Sequence, residues 1–355
     1  MKEYISERAK KLAPYDPSEN KYKIKLDANE SYIKIPKQIL DYNQCLNDVE
    51  LNRYPDPLCK SLCNAFGNFI NIKGEKIVAG NGSDEIISLL FPSFLNPGDN
   101  VITFSPDFSM YSFYCDIAGM NNIVLDSDDK FNINIENVIS ISEQKNIKMI
   151  IFSNPCNPSG NIISHKNIEK ILSSVKALVV VDEAYMDFAD ESVIDLIDKY
   201  SNLIVLKTCS KAIAMAGIRL GFAIGNEKLI SVIRKVKSPF NVNSVTAAIG
   251  ERVLKEKNFI SDSIKKIKEN TIYLEKKLKE FESDKFIIYN TNTNFVLIKA
   301  IDAEKIYNYL LDNDICVRFM MKNYLRITAG TIEEINIFIN SLKNFFKEKS
   351  YEQNG

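Results

Sequence analysis

Short runs of consecutive aliphatic residues punctuate the first two thirds of the chain. Lys76-Ile77-Val78-Ala79-Gly80, Val101-Ile102-Thr103-Phe104, Lys148 to Ser153, Ala177 to Val181, Leu203 to Leu206 and Phe222 to Gly225 each predict a strand. Runs such as Leu178-Val179-Val180-Val181 leave no polar face, which predicts strands buried on both sides. Between them, Ile86 to Phe91 and the amphipathic Ile168-Glu169-Lys170-Ile171-Leu172 read as helices. This alternation predicts an α/β fold with a mostly parallel, seven-stranded-type sheet sandwiched by helices. Beyond Ser238-Pro239-Phe240 the pattern changes. Residues 244 to 282 read as a long Lys/Glu-rich helical stretch, and two strands, a helix, two strands and a closing amphipathic helix from Thr331 follow. That order predicts a smaller α+β domain, with residues 30–240 as the large domain and residues 1–29 plus 241–355 as the small one.

The polar residues that follow the strands carry the chemistry, because ligands of open α/β sheets sit at the strands' carboxyl ends. Asn81-Gly82-Ser83-Asp84-Glu85 joins a strand to a helix, where free N–H groups and the helix dipole suit an anion, although Ser83 and Asp84 serve equally as caps. Phe108 follows the second strand and suits either a flat ring or the core. Asn154-Pro155-Cys156-Asn157-Pro158-Ser159-Gly160 is a rigid turn that holds Asn157 at the end of the third strand. The fourth ends in Asp182-Glu183-Ala184-Tyr185, and the fifth in Lys207-Thr208-Cys209-Ser210-Lys211. Four of these strand ends, all but the one before Phe108, thus offer polar groups suited to a single ligand.

Composition narrows the function classes. With 45 Lys and Arg against 46 Asp and Glu, the net charge of −1 produces no field that would draw nucleic acid or a membrane surface. No apolar run approaches the ~18 residues a membrane span needs, and the charged Met1 to Glu7 lacks the apolar core of a secretory signal. Seven cysteines, an odd and scattered set, argue against a disulfide framework, so a cytoplasmic location is expected. Cys59 and Cys63 share a helix face, but the only histidine, His165, is distant, and no metal site is expected. His165 itself reads as a surface residue beside the helix cap Ser164, which disfavours Ser-His-Asp and Cys-His chemistry.

Together these motifs resemble the fold-type I pyridoxal-phosphate aminotransferases, closest to the histidinol-phosphate aminotransferases, over nearly the whole chain. Ser-Lys-Ala at 210–212 with Ala-Gly-Ile-Arg-Leu-Gly at 216–221 is similar to the family's lysine box, and Asp-Glu-Ala-Tyr at 182–185 to its pyridine-nitrogen motif. Leu-Asp-Ala-Asn-Glu at 26–30, Asn-Arg-Tyr-Pro-Asp-Pro at 52–57 and Leu-Arg-Ile-Thr-Ala-Gly at 325–330 resemble the histidinol-phosphate branch in particular. The resemblance implies pyridoxal 5'-phosphate as cofactor, with Lys211 as the catalytic lysine, Asp182 against the pyridine nitrogen, and Asn157 and Tyr185 on the ring oxygen. Phe108 would stack on the ring, where many relatives have tyrosine. Gly82, Ser83, Asp84, Thr208, Ser210 and Arg219 would hold the phosphate. Tyr54 would reach that phosphate from a neighbouring subunit, which implies a homodimer.

For the substrate, the resemblance implies Arg326 as the α-carboxylate clamp and Tyr15, Asn29 and Arg318 as the side-chain pocket. A second arginine beyond the carboxylate clamp implies a second anion on the substrate, hence a phosphorylated amino acid; the expected partners are a small amino acid or amino-phosphate substrate and 2-oxoglutarate. The expected reaction is histidinol phosphate with 2-oxoglutarate giving imidazole-acetol phosphate and glutamate. An aromatic or broad-specificity aminotransferase, a threonine-phosphate decarboxylase-like lyase and a non-catalytic cofactor-binding module are the alternatives.

Overall fold

The computed structural model describes residues 4–6, 8, 10, 21–41, 46, 47 and 49–352. The chain opens with β1 (Ile24–Leu26), which joins a smaller sheet, and α1 (Lys60–Ile70). Strand and helix then alternate through β2 (Ile77–Asn81), α2 (Gly82–Phe94), β3 (Asn100–Ser105), α3 (Met110–Ala118), β4 (Asn121–Asp126), α4 (Ile135–Gln144), β5 (Ile147–Ser153), α5 (His165–Ser174) and β6 (Leu178–Asp182). β7 (Leu203–Thr208) and β8 (Leu220–Gly225) complete a seven-stranded sheet in the order β2-β8-β7-β6-β5-β3-β4. Only β8 runs against its neighbours.

The aliphatic runs are explained by packing on both faces. In β6, Val179 and Val181 pack with Phe152, Val205 and Phe222 on one side of the sheet. Val180 packs with Ile151, Ile204 and Ala223 on the other. Each such side chain, taken from water to the interior, contributes roughly 1.5–3 kcal/mol, so a polar residue in these runs would forfeit a large part of the stability. In this sheet β4 is the strand that the hydrophobic pattern did not announce. It is an edge strand, paired on one side only, and its exposed positions interrupt the apolar run.

After α6 (Glu227–Val236), the Lys/Glu-rich stretch divides at residues 255–256 into α7 (Ser244–Leu254) and α8 (Lys257–Leu278). Ile249, Val253 and Leu254 of α7 pack in the core of the large sheet, with Ile260 of α8. Leu274 and Leu278, at the far end of α8, enter a second core. Thus α7, whose sequence falls in the segment expected to form the small domain, packs with the large one, and α8 reaches from one core to the other. The second core lies against β9 (Phe286–Ile288), β10 (Phe295–Ala300), α9 (Ala303–Asp312), β11 (Ile315–Met320), β12 (Tyr324–Thr328) and α10 (Ile332–Glu352). The small sheet has the order β1-β11-β12-β10-β9, with β1 parallel to β11 and the other pairings antiparallel. The N-terminal segment is thereby stitched into the far domain before the chain enters the large sheet.

The reversed direction of β8 decides where the chemistry collects. Its amino end lies on the edge where β2 and β7 have their carboxyl ends, with Asn81 opposite Leu220 and Thr208 opposite Gly221. Gly221 allows β8 to run against the first turn of α2, since a Cβ there would meet the Ser83 nitrogen at 2.2 Å. Gly221→Ala should therefore destabilise the chain by about 2 to 3 kcal/mol, read as a lower urea midpoint at unchanged m-value.

Candidate active site

Asp182 closes β6, a strand with every residue buried, and is itself 3 % exposed. Its Oδ2 accepts from the Tyr111 hydroxyl at 2.9 Å and its Oδ1 from the Ala184 N–H at 3.0 Å. Burial pushes its carboxyl up to about 6, against the pull of those two donors. A nearby cation would reverse that shift, and a protonated ring nitrogen is one. Asp107 is a second, half-buried carboxyl, pushed up to about 7 by desolvation. It accepts from the Ser153 hydroxyl and, at 3.1 Å, from the Ser153 N–H, while the same hydroxyl accepts from the Asn157 N–H at 3.0 Å. Asp107 thus ties the loop bearing Phe108 to the turn bearing Asn157, and Phe108 sits edge-on to Tyr111 with ring centroids 5.5 Å apart.

On the same edge, α2 begins at Gly82 without a side-chain cap from Asn81. Gly82 has φ +82°, and a Cβ there would meet the Arg219 Nη2 at 2.7 Å, so glycine lets the guanidinium lie across the helix start. Arg219, exposed and left-handed at φ +54°, also donates to Ser210 Oγ at 3.4 Å, and Thr208 Oγ1 donates to the same oxygen at 3.1 Å. Asp84 Oδ1 is buried with no hydrogen-bond partner, and burial raises that carboxyl while Arg219 opposes the rise. A guanidinium, two hydroxyls and a helix start with free N–H groups form the donor set of a phosphate site.

Three consecutive residues of the N-terminal segment meet three side chains of the site. Arg326 donates to the Asp27 carbonyl at 2.7 Å, Lys211 Nζ donates to the Ala28 carbonyl at 3.0 Å, and Asn29 Nδ2 donates to the Tyr185 hydroxyl at 2.8 Å. Lys211 Nζ lies 5.9 Å from the centre of the Tyr185 ring. Arg326 also donates to Asn157 Oδ1 at 2.5 Å and packs on the Phe295 ring, which joins the small domain to the asparagine turn. Arg318 is exposed and stands directly opposite Arg326 across β11 and β12. Directly paired residues project on one face, here the face away from the core residues Val317, Leu325 and Ile327.

Lys211, Asp182, Tyr185, Asn157, Phe108, Gly82, Ser83, Asp84, Thr208, Ser210 and Arg219 therefore gather around one sheet edge, with Arg326 reaching it from the small domain. Asn29, expected in a substrate pocket, is 1 % exposed and bonded to Tyr185 and Thr328. Tyr15 lies outside the described residues. Tyr54 stands apart, 82 % exposed and stacked on Phe240 with centroids 4.5 Å apart. His165 Nε2 pairs with Asp195 at 3.0 Å next to the Ser164 cap. Sequence reasoning missed Tyr111, Asp107 and Ser153. Tyr111 follows Phe108 at helical spacing and reads as core, and no sequence signal aims its hydroxyl at Asp182. It also missed Lys207, whose ammonium burial would pull down but Asp187 and Glu183 hold at about 12.

Among the described residues, no helix is long and apolar enough to cross a membrane, and no group of three or more His, Cys, Asp or Glu is placed to hold a metal ion. Residues 21–342 match the family model for aminotransferase class I and II. The chain is 42% identical to a histidinol-phosphate aminotransferase of Clostridium kluyveri, with 98% of this chain and 100% of that protein covered. It is 44% identical to that of Clostridium novyi, with 97% of each covered. Its fold superposes with a TM-score of 0.88 on the histidinol-phosphate aminotransferase from Sinorhizobium meliloti solved in complex with pyridoxal-5'-phosphate, at 19% identity and covering 97% of this chain and 98% of that one.

The raised Asp182 carboxyl has a measurable consequence in the cofactor-free chain. Because the folded state keeps this proton to about pH 6 while the unfolded chain releases it near 3.8, its contribution is full below pH 3.8 and is lost as pH rises through 6. Relative to wild type, Asp182→Asn should gain about 2 kcal/mol of unfolding free energy between pH 4 and pH 7. Denaturant titrations of both apo-proteins at the two pH values check this, and a flat difference contradicts it.

Proposed function

The chain belongs to the class I and II aminotransferases, and we propose that it is a histidinol-phosphate aminotransferase, converting histidinol phosphate and 2-oxoglutarate to imidazole-acetol phosphate and glutamate by a ping-pong route. Pyridoxal 5'-phosphate is its cofactor, and the residues present fit it: a phosphate donor set at the start of α2, a buried carboxylate at Asp182 and a lysine at Lys211 stand on one sheet edge. When bound, the cofactor supplies an electrophilic carbon for the amino group and a cationic ring that withdraws electrons.

The chain's own residues supply the rest. Arg219, Ser210, Thr208 and the N–H groups of Ser83 and Asp84 would bind the phosphate. Asp182 would keep the ring nitrogen protonated, since ionising a buried carboxylate is favourable only beside a cation. Tyr185 and Asn157 would hold the ring oxygen, and Phe108 would cover the ring. Lys211 Nζ, oriented by the Ala28 carbonyl, is the base that takes the substrate α-proton and returns it. Arg326 would clamp the α-carboxylate of glutamate and 2-oxoglutarate through its forked donors.

The observation that carries the substrate assignment is the pairing of Arg318 with Arg326 across β11 and β12. Like charges directly opposite one another favour an anion between them, and the phosphate of histidinol phosphate supplies one in the first half-reaction, as the carboxylates of 2-oxoglutarate do in the second. Full-length identity of 42–44% to two histidinol-phosphate aminotransferases supports the same reading. The assembly is a homodimer in this reading. Tyr54 on Phe240, with Leu51 at 82 % exposure nearby in sequence, leaves an apolar surface for a second copy, from which Tyr54 would reach the neighbouring site.

Steady-state rates with histidinol phosphate, histidinol and phenylalanine test the assignment, and equal turnover with and without the phosphate would refute it. Carbon dioxide release from threonine phosphate would assign the chain to a lyase instead. Arg318→Ala should raise KM for histidinol phosphate by about 10- to 100-fold, the loss of a charge-assisted hydrogen bond, while leaving histidinol nearly unaffected. Lys211→Ala should abolish transamination yet still bind the cofactor noncovalently, which equilibrium dialysis would reveal.

A further inference from the structure

Both ends of the Asn29 side-chain amide are tied within the protein, and no ligand-binding role accounts for its bonds. It is 1 % exposed and left-handed, with φ 54°. Its backbone N–H donates to Thr328 Oγ1 at 3.0 Å, and the Thr328 hydroxyl donates back to Asn29 Oδ1 at 3.1 Å. Its carbonyl accepts from Asn294 Nδ2 at 3.1 Å. These bonds fix the amide plane and leave Nδ2 pointing at the Tyr185 hydroxyl, 2.8 Å away.

The direction of that last bond matters. An amide nitrogen has protons and no acceptor capacity, so Tyr185 must accept from it. The phenolic proton is then free to be given elsewhere. Tyr185 is itself 5 % exposed and wedged at 90° against Phe295, which limits the swing of its ring. A hydroxyl that accepts one hydrogen bond also becomes the stronger donor in the next.

We propose that Asn29 is a positioning residue that sets the direction of the Tyr185 hydroxyl, making it a donor to the ring oxygen of the bound cofactor, and does not recognise the substrate side chain. This rests on the assignment of pyridoxal phosphate to the site. It places the control of the cofactor's protonation in the N-terminal segment, held in place by Thr328 of β12 and Asn294. Donation to the ring oxygen competes with the proton that Lys211 Nζ shares with that oxygen. Removing the donor strengthens the hold on that proton, so the pH midpoint of the bound cofactor's visible band moves up.

The test is a spectroscopic double-mutant cycle on the cofactor-loaded enzyme. Asn29→Gly keeps the left-handed backbone and both main-chain bonds while deleting the amide. Tyr185→Phe should raise the midpoint by about one pH unit, the equivalent of a tenfold change in proton affinity. Asn29→Gly should raise it by a sizeable part of that, and the double variant by no more than Tyr185→Phe alone. KM for the amino donor should change less than the midpoint does. If Asn29→Gly does not fold, Asn29→Asp takes its place, since it keeps the Thr328 bond and presents the tyrosine with an acceptor. An Asn29→Gly midpoint equal to wild type, or shifts that add independently in the double variant, overturns the proposal. A wild-type chain that shows no visible band with pyridoxal phosphate would instead overturn the cofactor assignment on which it stands.

Discussion

A carboxylate at the end of a strand buried on both faces is the constraint around which the site is arranged. Asp182 sits there with two hydrogen-bond donors, and those donors do not restore its carboxyl to the ordinary range. Burial outweighs the two donors, and the neighbouring Asp84 and Glu183 carboxylates push the same way as burial. Ionised, this carboxylate is destabilising in the cofactor-free chain, and a positive ring nitrogen against it, as proposed, would make its charge favourable. Tertiary structure thus stores at this position part of the affinity for a cofactor with that charge, a trade of stability for function seen at many sites.

The second constraint is topological. With β8 reversed, Arg219 enters from the amino end of one strand while Gly82, Thr208 and Ser210 follow the carboxyl ends of two others, and all four meet. The small domain joins through Arg326, whose guanidinium bonds the asparagine turn of the large domain and the N-terminal segment at once. Because Asp27, Ala28 and Asn29 touch Arg326, Lys211 and Tyr185 in succession, the segment couples the residues proposed as substrate clamp, catalytic lysine and ring-oxygen donor. A displacement of these three residues would be felt by all three groups.

Residues whose role follows from their place in the strand-helix pattern were legible before the fold was known. Lys211, Asp182 and Asn157 follow aliphatic runs that have one structural interpretation, and the structure brings them to one edge. The anion turn was legible as far as Gly82 and the helix start. Tyr111 was not, because an aromatic at helical spacing from Phe108 satisfies the core pattern whether or not its hydroxyl has a partner. Asn29 was singled out as a residue but its surroundings were not foreseen, since Thr328 and Tyr185 lie 299 and 156 positions away. β4 was hidden for a different reason. An edge strand tolerates polar residues on its open side, so its periodicity is weak.

By itself the sequence determined the buried strands, the order of strand and helix and the polar groups that end each strand, because these depend on contacts between near neighbours and on burial period. Only the tertiary structure decided that β8 runs backwards, that β1 enters the far sheet, and that α7 packs with the large core. It also decided the hydrogen-bond partners of Asp182 and Asn29. Such choices rest on pairings between distant segments, whose free energy no local pattern of apolar and polar residues records.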